Sequence, residues 1–277
     1  MKTLLGIFLA AFSTMAFSAE ERIISLGGNV TEIVYELNKE DLLVATDTTS
    51  NYPAAAAKTP KVGYMRQLSA EGILSMEPTV IFMTTEAGPP VVIKQLKETG
   101  VNMQIVPSEF SIEGTIEKVA TMSKYLGEEE KGQKIIKKIK SDMAEANAII
   151  SKNQDKKPKV LFILSPRNGS LMVSGVNTQA DSMIKLAGGE NAMTSFEGFK
   201  PLTPEQILAV NPEVILMMNH TRRVNGGKKG IMEHPVLKLT PAVKNNKVIT
   251  MDGSYLLGFG PRVGQAVKDL AEHLYVN

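Results

Sequence analysis

Residues 68–83, LSAEGILSMEPTVIFM, are written again as residues 202–217, LTPEQILAVNPEVILM, with eight of sixteen positions identical and no gap. The copies lie 134 residues apart, about half the chain. A period that long does not suit a solenoid and predicts two similar lobes instead. Each copy carries the same local grammar. Ser69 or Thr203 stands where a helix N-cap belongs, with Glu71 or Glu205 in the first turn. Pro204 suits the first helical position, and Gln206 completes a capping box with Thr203. The short helix should end by Glu77-Pro78 or Asn211-Pro212, because proline lacks an amide donor and restricts its predecessor. An apolar run follows each proline, Thr79 to Met83 and Val214 to Met218, and reads as a strand buried on both faces.

The remaining pattern agrees. Further strands are expected at 22–26, 42–46, 101–106, 159–164 and 247–251, with helices between them at 30–37, 90–99, 178–186 and 262–274. Such alternation defines an α/β chain with mainly parallel sheets. Residues 112–152 instead carry apolar positions at helical spacing, among them Ile116, Val119, Met122, Ile135, Ile139, Met143 and Ile150, with a break near Gly127. This segment is expected to join the lobes as a stiff strut, the longer helix running to Ile150. The expected division is therefore a leader at 1–18, an N-terminal lobe at 19–111, the helical link at 112–152 and a C-terminal lobe at 153–277.

The leader has Lys2, an apolar run from Leu4 to about Phe17, and Ala16 and Ser18 at the small-x-small positions, so cleavage is expected after Ser18. The run falls short of the roughly 20 apolar residues needed to span a bilayer. The chain contains no cysteine, which rules out disulfides, thiolate metal sites and a lipidated cysteine after the leader. An exported chain of this kind suits a Gram-negative periplasm. A net charge of +2 with interspersed signs gives no footprint for nucleic acid, and the basic run 131–140 fits a solvated helix face.

Enzyme signatures are missing. Gly27-Gly28 follows a strand, but no Gly-x-Gly-x-x-Gly or Lys-Ser/Thr pair completes a phosphate loop, so it reads as a turn opening a helix. There is no Gly-x-Ser-x-Gly elbow. His220, His234 and His273 lie far apart, without metal-ligand spacing. The informative segment is Gly63-Tyr64-Met65-Arg66, between a proline-bounded loop and the helix near Ser69, at the sheet edge where α/β folds place ligands. A tyrosine here is either a packing residue with a wet hydroxyl or a ligand. The cation of Arg66, two residues on, favours the second reading, since it stabilises phenolate, a hard donor suited to ferric haem.

The runs DTTS-x-YP, P-x-VGYMRQLSAEGILSMEP, SGVNTQADSMIKLAGGENA and MDGSYLLGFGPR closely resemble the periplasmic haem-binding proteins of haem-uptake ABC transporters, over essentially the whole mature chain. LAGG and the glutamate-bearing helices are shared more widely with siderophore and cobalamin binders. The resemblance implies two lobes bridged by a long helix, and haem carried between them as transported ligand. It implies Tyr64 as the axial iron ligand and Arg66 as its helper. It further implies delivery by a monomer to an inner-membrane ABC permease, with Glu71 and Glu205 meeting permease arginines. Some relatives place a histidine in the loop after the first strand of the second lobe; here that loop reads Leu164-Ser-Pro-Arg-Asn-Gly169, where Arg167 can pair with a propionate or hold a water over the iron. Arg222 and Arg223 are rival candidates, and each of the three arginines can equally be a solvent-facing residue. Tyr255 and Phe259 can stack on the porphyrin or simply pack the lobe. The alternatives are a siderophore or cobalamin receptor of the same fold, and a secreted α/β hydrolase.

Overall fold

The computed structural model of the chain describes residues 21–167, 170–219 and 227–276. Strands β1 (Ile23–Leu26), β2 (Leu43–Thr46), β3 (Val80–Thr84) and β4 (Asn102–Val106) form an all-parallel sheet in the order β2-β1-β3-β4. Helices α1 (Gly28–Glu36), α2 (Ala70–Leu74) and α3 (Pro90–Glu98) connect them. Helices α4 (Ile112–Tyr125) and α5 (Glu129–Ser151) follow, and α5, with 23 residues, is about 35 Å long.

The second sheet comprises β5 (Lys159–Arg167), β6 (Ser170–Ser174), β7 (Glu190–Asn191), β8 (Phe199–Leu202), β9 (Val214–Met218) and β10 (Val248–Met251). Its order is β10-β9-β5-β6-β8, with β7 also on β5. The accompanying helices are α6 (Gln179–Leu186), α7 (Pro204–Val210), α8 (Gly227–Glu233), α9 (Pro241–Lys244), α10 (Gly253–Leu257) and α11 (Val263–Tyr275). This sheet is mixed, because β6 runs antiparallel to both β5 and β8. Strand β5 continues past Leu164, so most of the expected loop is strand. Arg167 pairs with Ser170, and the dipeptide between them is Asn-Gly, the strongest two-residue hairpin signal.

The repeat is carried into three dimensions. Ser69 Oγ accepts the Gly72 amide at 3.4 Å. Thr203 Oγ1 accepts the Gln206 amide at 3.3 Å, while Gln206 Oε1 accepts the Thr203 amide at 2.9 Å. Glu77 and Asn211, at matching positions, both take left-handed backbone, with φ of 49° and 50°. All five residues of β3 and of β9 are buried. Alternation then sorts them: Val80, Phe82, Val214, Leu216 and Met218 face the helical link, while Ile81, Met83, Ile215 and Met217 pack toward Ile73 or Ile207.

One apolar core runs from Ile23 and Phe82 through Val119, Met122, Ile136 and Ile139 of α4 and α5 to Phe162, Leu216 and Val267. Helix α11 lies directly along α5. A Cβ on Gly264 would stand 2.6 Å from the Ile139 carbonyl, so only glycine lets these helices approach so closely. No described helix is long and apolar enough to cross a membrane.

Candidate functional site

The carboxyl ends of β1, β2 and β3 deliver three loops to one edge of the N-terminal sheet, where parallel α/β sheets place ligands. Asp47, fully buried just after β2, organises the first two. Its carboxylate accepts the Gly27 amide at 3.0 Å, the Thr49 amide at 2.9 Å and the Ser50 hydroxyl at 2.8 Å. Lys61 fastens the loop that follows, donating to Thr46 Oγ1, the Ser50 carbonyl and the Ala56 carbonyl at 2.7, 2.7 and 2.9 Å. Partial burial lowers the Lys61 pKa, against the pull of Asp47. Gly28 is required here, since a Cβ would meet the Thr49 carbonyl at 2.8 Å.

The Tyr64 turn is pinned to the loop after β3. The Gly88 amide donates to the Met65 carbonyl and the Leu68 amide to the Gly88 carbonyl, both at 2.9 Å. Met65 and Leu68 are buried, so the intervening side chains point outward. The Tyr64 phenol, 36 % exposed, accepts a hydrogen bond from Arg66 Nη1 at 2.8 Å, and Arg66 Nη2 meets Glu86 Oε1 at 2.8 Å. Partial burial works against the guanidinium charge, but the Tyr64 hydrogen bond and the Glu86 carboxylate outweigh it, and the net shift of Arg66 is upward. From the other lobe, Gln179 Nε2 at the start of α6 stands 3.5 Å from the same Glu86 oxygen. The constellation is an accessible phenol oxygen with a fixed cation at its side. It can present an oxygen donor to a ligand.

Of the other described candidates, Tyr255 and Phe259 have partners of their own. Tyr255, on α10, donates its hydroxyl to Asp269 Oδ2 at 2.7 Å. Burial, with that hydrogen bond to a carboxylate, pushes its pKa strongly up, so it stays a neutral phenol. Phe259 is 2 % exposed and packs on Phe110 at 5.7 Å between ring centroids, a position that fits packing rather than stacking on a ligand. Arg167 closes the β5–β6 pairing, and its side chain lies outside the described residues, as do Arg222 and Arg223 entirely. Glu71 and Glu205 are exposed in the first turns of α2 and α7. The backbone amide of Glu205 and the Thr203 hydroxyl lower its pKa. Residues 1–18 also lie outside the described residues. Among the described residues no three acidic or histidine side chains cluster as a metal site.

Sequence reasoning missed Asp47, Glu86 and Gln179. A carboxylate just past a parallel strand is a readable signal for the first two, while Gln179 stands behind its N-cap Thr178 with no comparable mark.

A parallel sheet and a mixed sheet on either side of a helical link, with an exposed phenol at the strand ends of the first, define a solute-binding protein. The chain belongs to the periplasmic binding protein family, whose profile matches residues 23–255. The structure superposes on that of the periplasmic haem-binding protein BhuT in complex with two haems with a TM-score of 0.87, at 34 % identity over 92 % of this chain and 98 % of that one. An ABC transporter substrate-binding lipoprotein of Bacillus subtilis, described as uncharacterised, is 27 % identical over 92 % of this chain and 80 % of its own length. The vitamin B12-binding protein of Vibrio parahaemolyticus is also 27 % identical, over 94 % and 91 %.

Proposed function

We propose that the protein binds haem between its lobes in the periplasm and hands it to the inner-membrane permease of an ABC importer. It acts as a carrier rather than an enzyme, and the haem is cargo. The observation that carries this reading is the 2.8 Å hydrogen bond from Arg66 to the exposed Tyr64 oxygen. Phenolate is an established protein ligand for haem iron. A guanidinium beside it offsets the charge that develops when the phenol gives up its proton to bind ferric iron. The likeness to a haem-binding structure over nearly the whole chain supports the same reading.

Cobalamin is the second reading, favoured by the vitamin B12-binding relatives. Titrating the purified protein with hemin and, separately, with cyanocobalamin separates the two. The expected result is a ferric high-spin haem spectrum with a tyrosinate-to-iron charge-transfer band, and no saturable cobalamin binding. Tyr64→Phe removes one oxygen and should abolish the band. An unchanged spectrum in that variant refutes Tyr64 as the ligand, and tight cobalamin binding without haem binding refutes the cargo.

A further inference from the structure

Arg66 can help Tyr64 only while its guanidinium stays on the phenol oxygen. Its side chain is 46 % exposed and has several rotatable bonds, so a two-residue step from Tyr64 does not hold it there. Glu86 does what the sequence step cannot. The two guanidinium arms are engaged at once, Nη1 on the Tyr64 oxygen and Nη2 on Glu86 Oε1, each at 2.8 Å. Because the fork is planar and rigid, the contact with Glu86 limits the turns the guanidinium can make while Nη1 stays on the phenol.

The carboxylate is itself on a firm base. Glu86 precedes Ala87 and Gly88, which are buried, and Gly88 makes both backbone hydrogen bonds to the Met65–Leu68 turn. Phenol, guanidinium and carboxylate therefore sit on two segments tied together by backbone hydrogen bonds. The groups that face Glu86 come from three further elements: Arg66 on the turn, Gln179 at the start of α6, and the buried ammonium of Lys118 on α4, which feels the carboxylate's attraction. The C-terminal lobe reaches the ligand-bearing constellation through Glu86, by way of Gln179.

We infer that Glu86 is a positioning residue for the haem ligand, holding Arg66 against the Tyr64 oxygen without touching the haem itself. This inference rests on the haem reading above. An opposite effect is available to the same carboxylate, because its negative charge opposes both a phenolate and an anionic porphyrin. Position and charge thus predict different signs for its removal.

The test uses the full mature protein and hemin, with the charge-transfer band and the haem dissociation rate to an excess of apomyoglobin as readouts. Glu86→Ala should move the band toward that of Arg66→Ala and speed dissociation roughly tenfold, the scale of losing a charge-assisted hydrogen bond. Glu86→Asp should recover part of both. Glu86→Gln, which keeps an acceptor oxygen without the charge, should fall between Glu86→Ala and wild type. In an Arg66→Ala background, Glu86→Ala should change the rate by less than about twofold, since nothing is left to position. A wild-type band unmoved by Glu86→Ala overturns the positioning role alone. So does slower dissociation in Glu86→Ala, which would make charge the dominant effect, or an undiminished effect in the Arg66→Ala background. A wild-type protein with no tyrosinate band overturns the haem reading and the positioning role together.

Discussion

Lys118 lies on the inner side of α4 with 1 % of its surface exposed, and its ammonium donates to the Phe259 carbonyl at 3.2 Å. Burial lowers its pKa from the ordinary 10.5 to about 8, and attraction to Glu86 offsets only part of that. The distance between those two values corresponds to about 3 kcal/mol that the folded state bears at neutral pH. The sign follows from proton counting. Between about pH 8 and 10.5 the unfolded chain holds the proton that the folded chain has released, so stability rises with pH across that window. Below about pH 8 both states are protonated and the full cost applies. Lys118→Met keeps a similar length and removes the charge. The Phe259 carbonyl keeps a donor within reach, the Thr115 hydroxyl at 3.2 Å, which is shared with the Ser111 carbonyl at 3.0 Å. The variant should therefore be about 2–3 kcal/mol more stable than wild type at pH 7, with the gap closing toward pH 10.5. Urea unfolding of both proteins at pH 7, 9 and 10.5, with matching m-values, measures it. A variant less stable at pH 7, or a difference that stays constant with pH, refutes the reasoning.

Arg262→Met should cost about 3–5 kcal/mol in urea unfolding, because it leaves Glu32, 4 % exposed, as an unpaired buried carboxylate. Adding Glu32→Gln should recover most of that loss, and no recovery would show that the cost lies elsewhere. If the exposed Glu71 and Glu205 dock on permease arginines, the double Glu→Gln variant should bind hemin with the native spectrum yet fail to stimulate ATP hydrolysis by the reconstituted importer. Arg at either position should be worse, and normal transport by the double variant would leave both as ordinary helix-start residues.

What could be read from the sequence was what depends on neighbours along the chain. The capping box at Thr203, the buried runs at 80–84 and 214–218, and the nearness of Arg66 to Tyr64 are all set within a few residues. The antiparallel edge of the second sheet was not read. Its strands are only five and four residues long, SLMVS and FKPL, and exist because β6 finds β5 on one side and β8 on the other. The same limit applies at the site. Glu86 gains its place from Arg66, 20 residues away in sequence, and from Gln179, 93 away. For Phe259 the sequence left stacking and packing open, and its burial comes with distant partners, Lys118 and Thr115, that hold its carbonyl.

Polar contacts cross between the lobes beside α1 and at Glu86, and they differ in strength. On α1, Glu32 receives both arms of Arg262, at 2.7 and 3.0 Å, and the guanidinium lies 3.4 Å from the Tyr52 ring centre. Beside it, Asn29 donates to the Gly258 carbonyl at 2.8 Å. Burial still raises the Glu32 pKa despite the hydrogen bond and charge of Arg262, so this carboxylate depends heavily on its partner. At Glu86 the contact is the 3.5 Å approach of Gln179. Parting the contacts beside α1 strands a buried charge, whereas a hydrogen bond from a neutral amide at the limit of contact costs less to lose. With α11 packed along α5 and one core continuous through the link, large excursions of the lobes are opposed on the α1 side. Separation of the lobes is therefore opposed less where Gln179 meets Glu86, beside the exposed Tyr64, than at the Glu32–Arg262 pair.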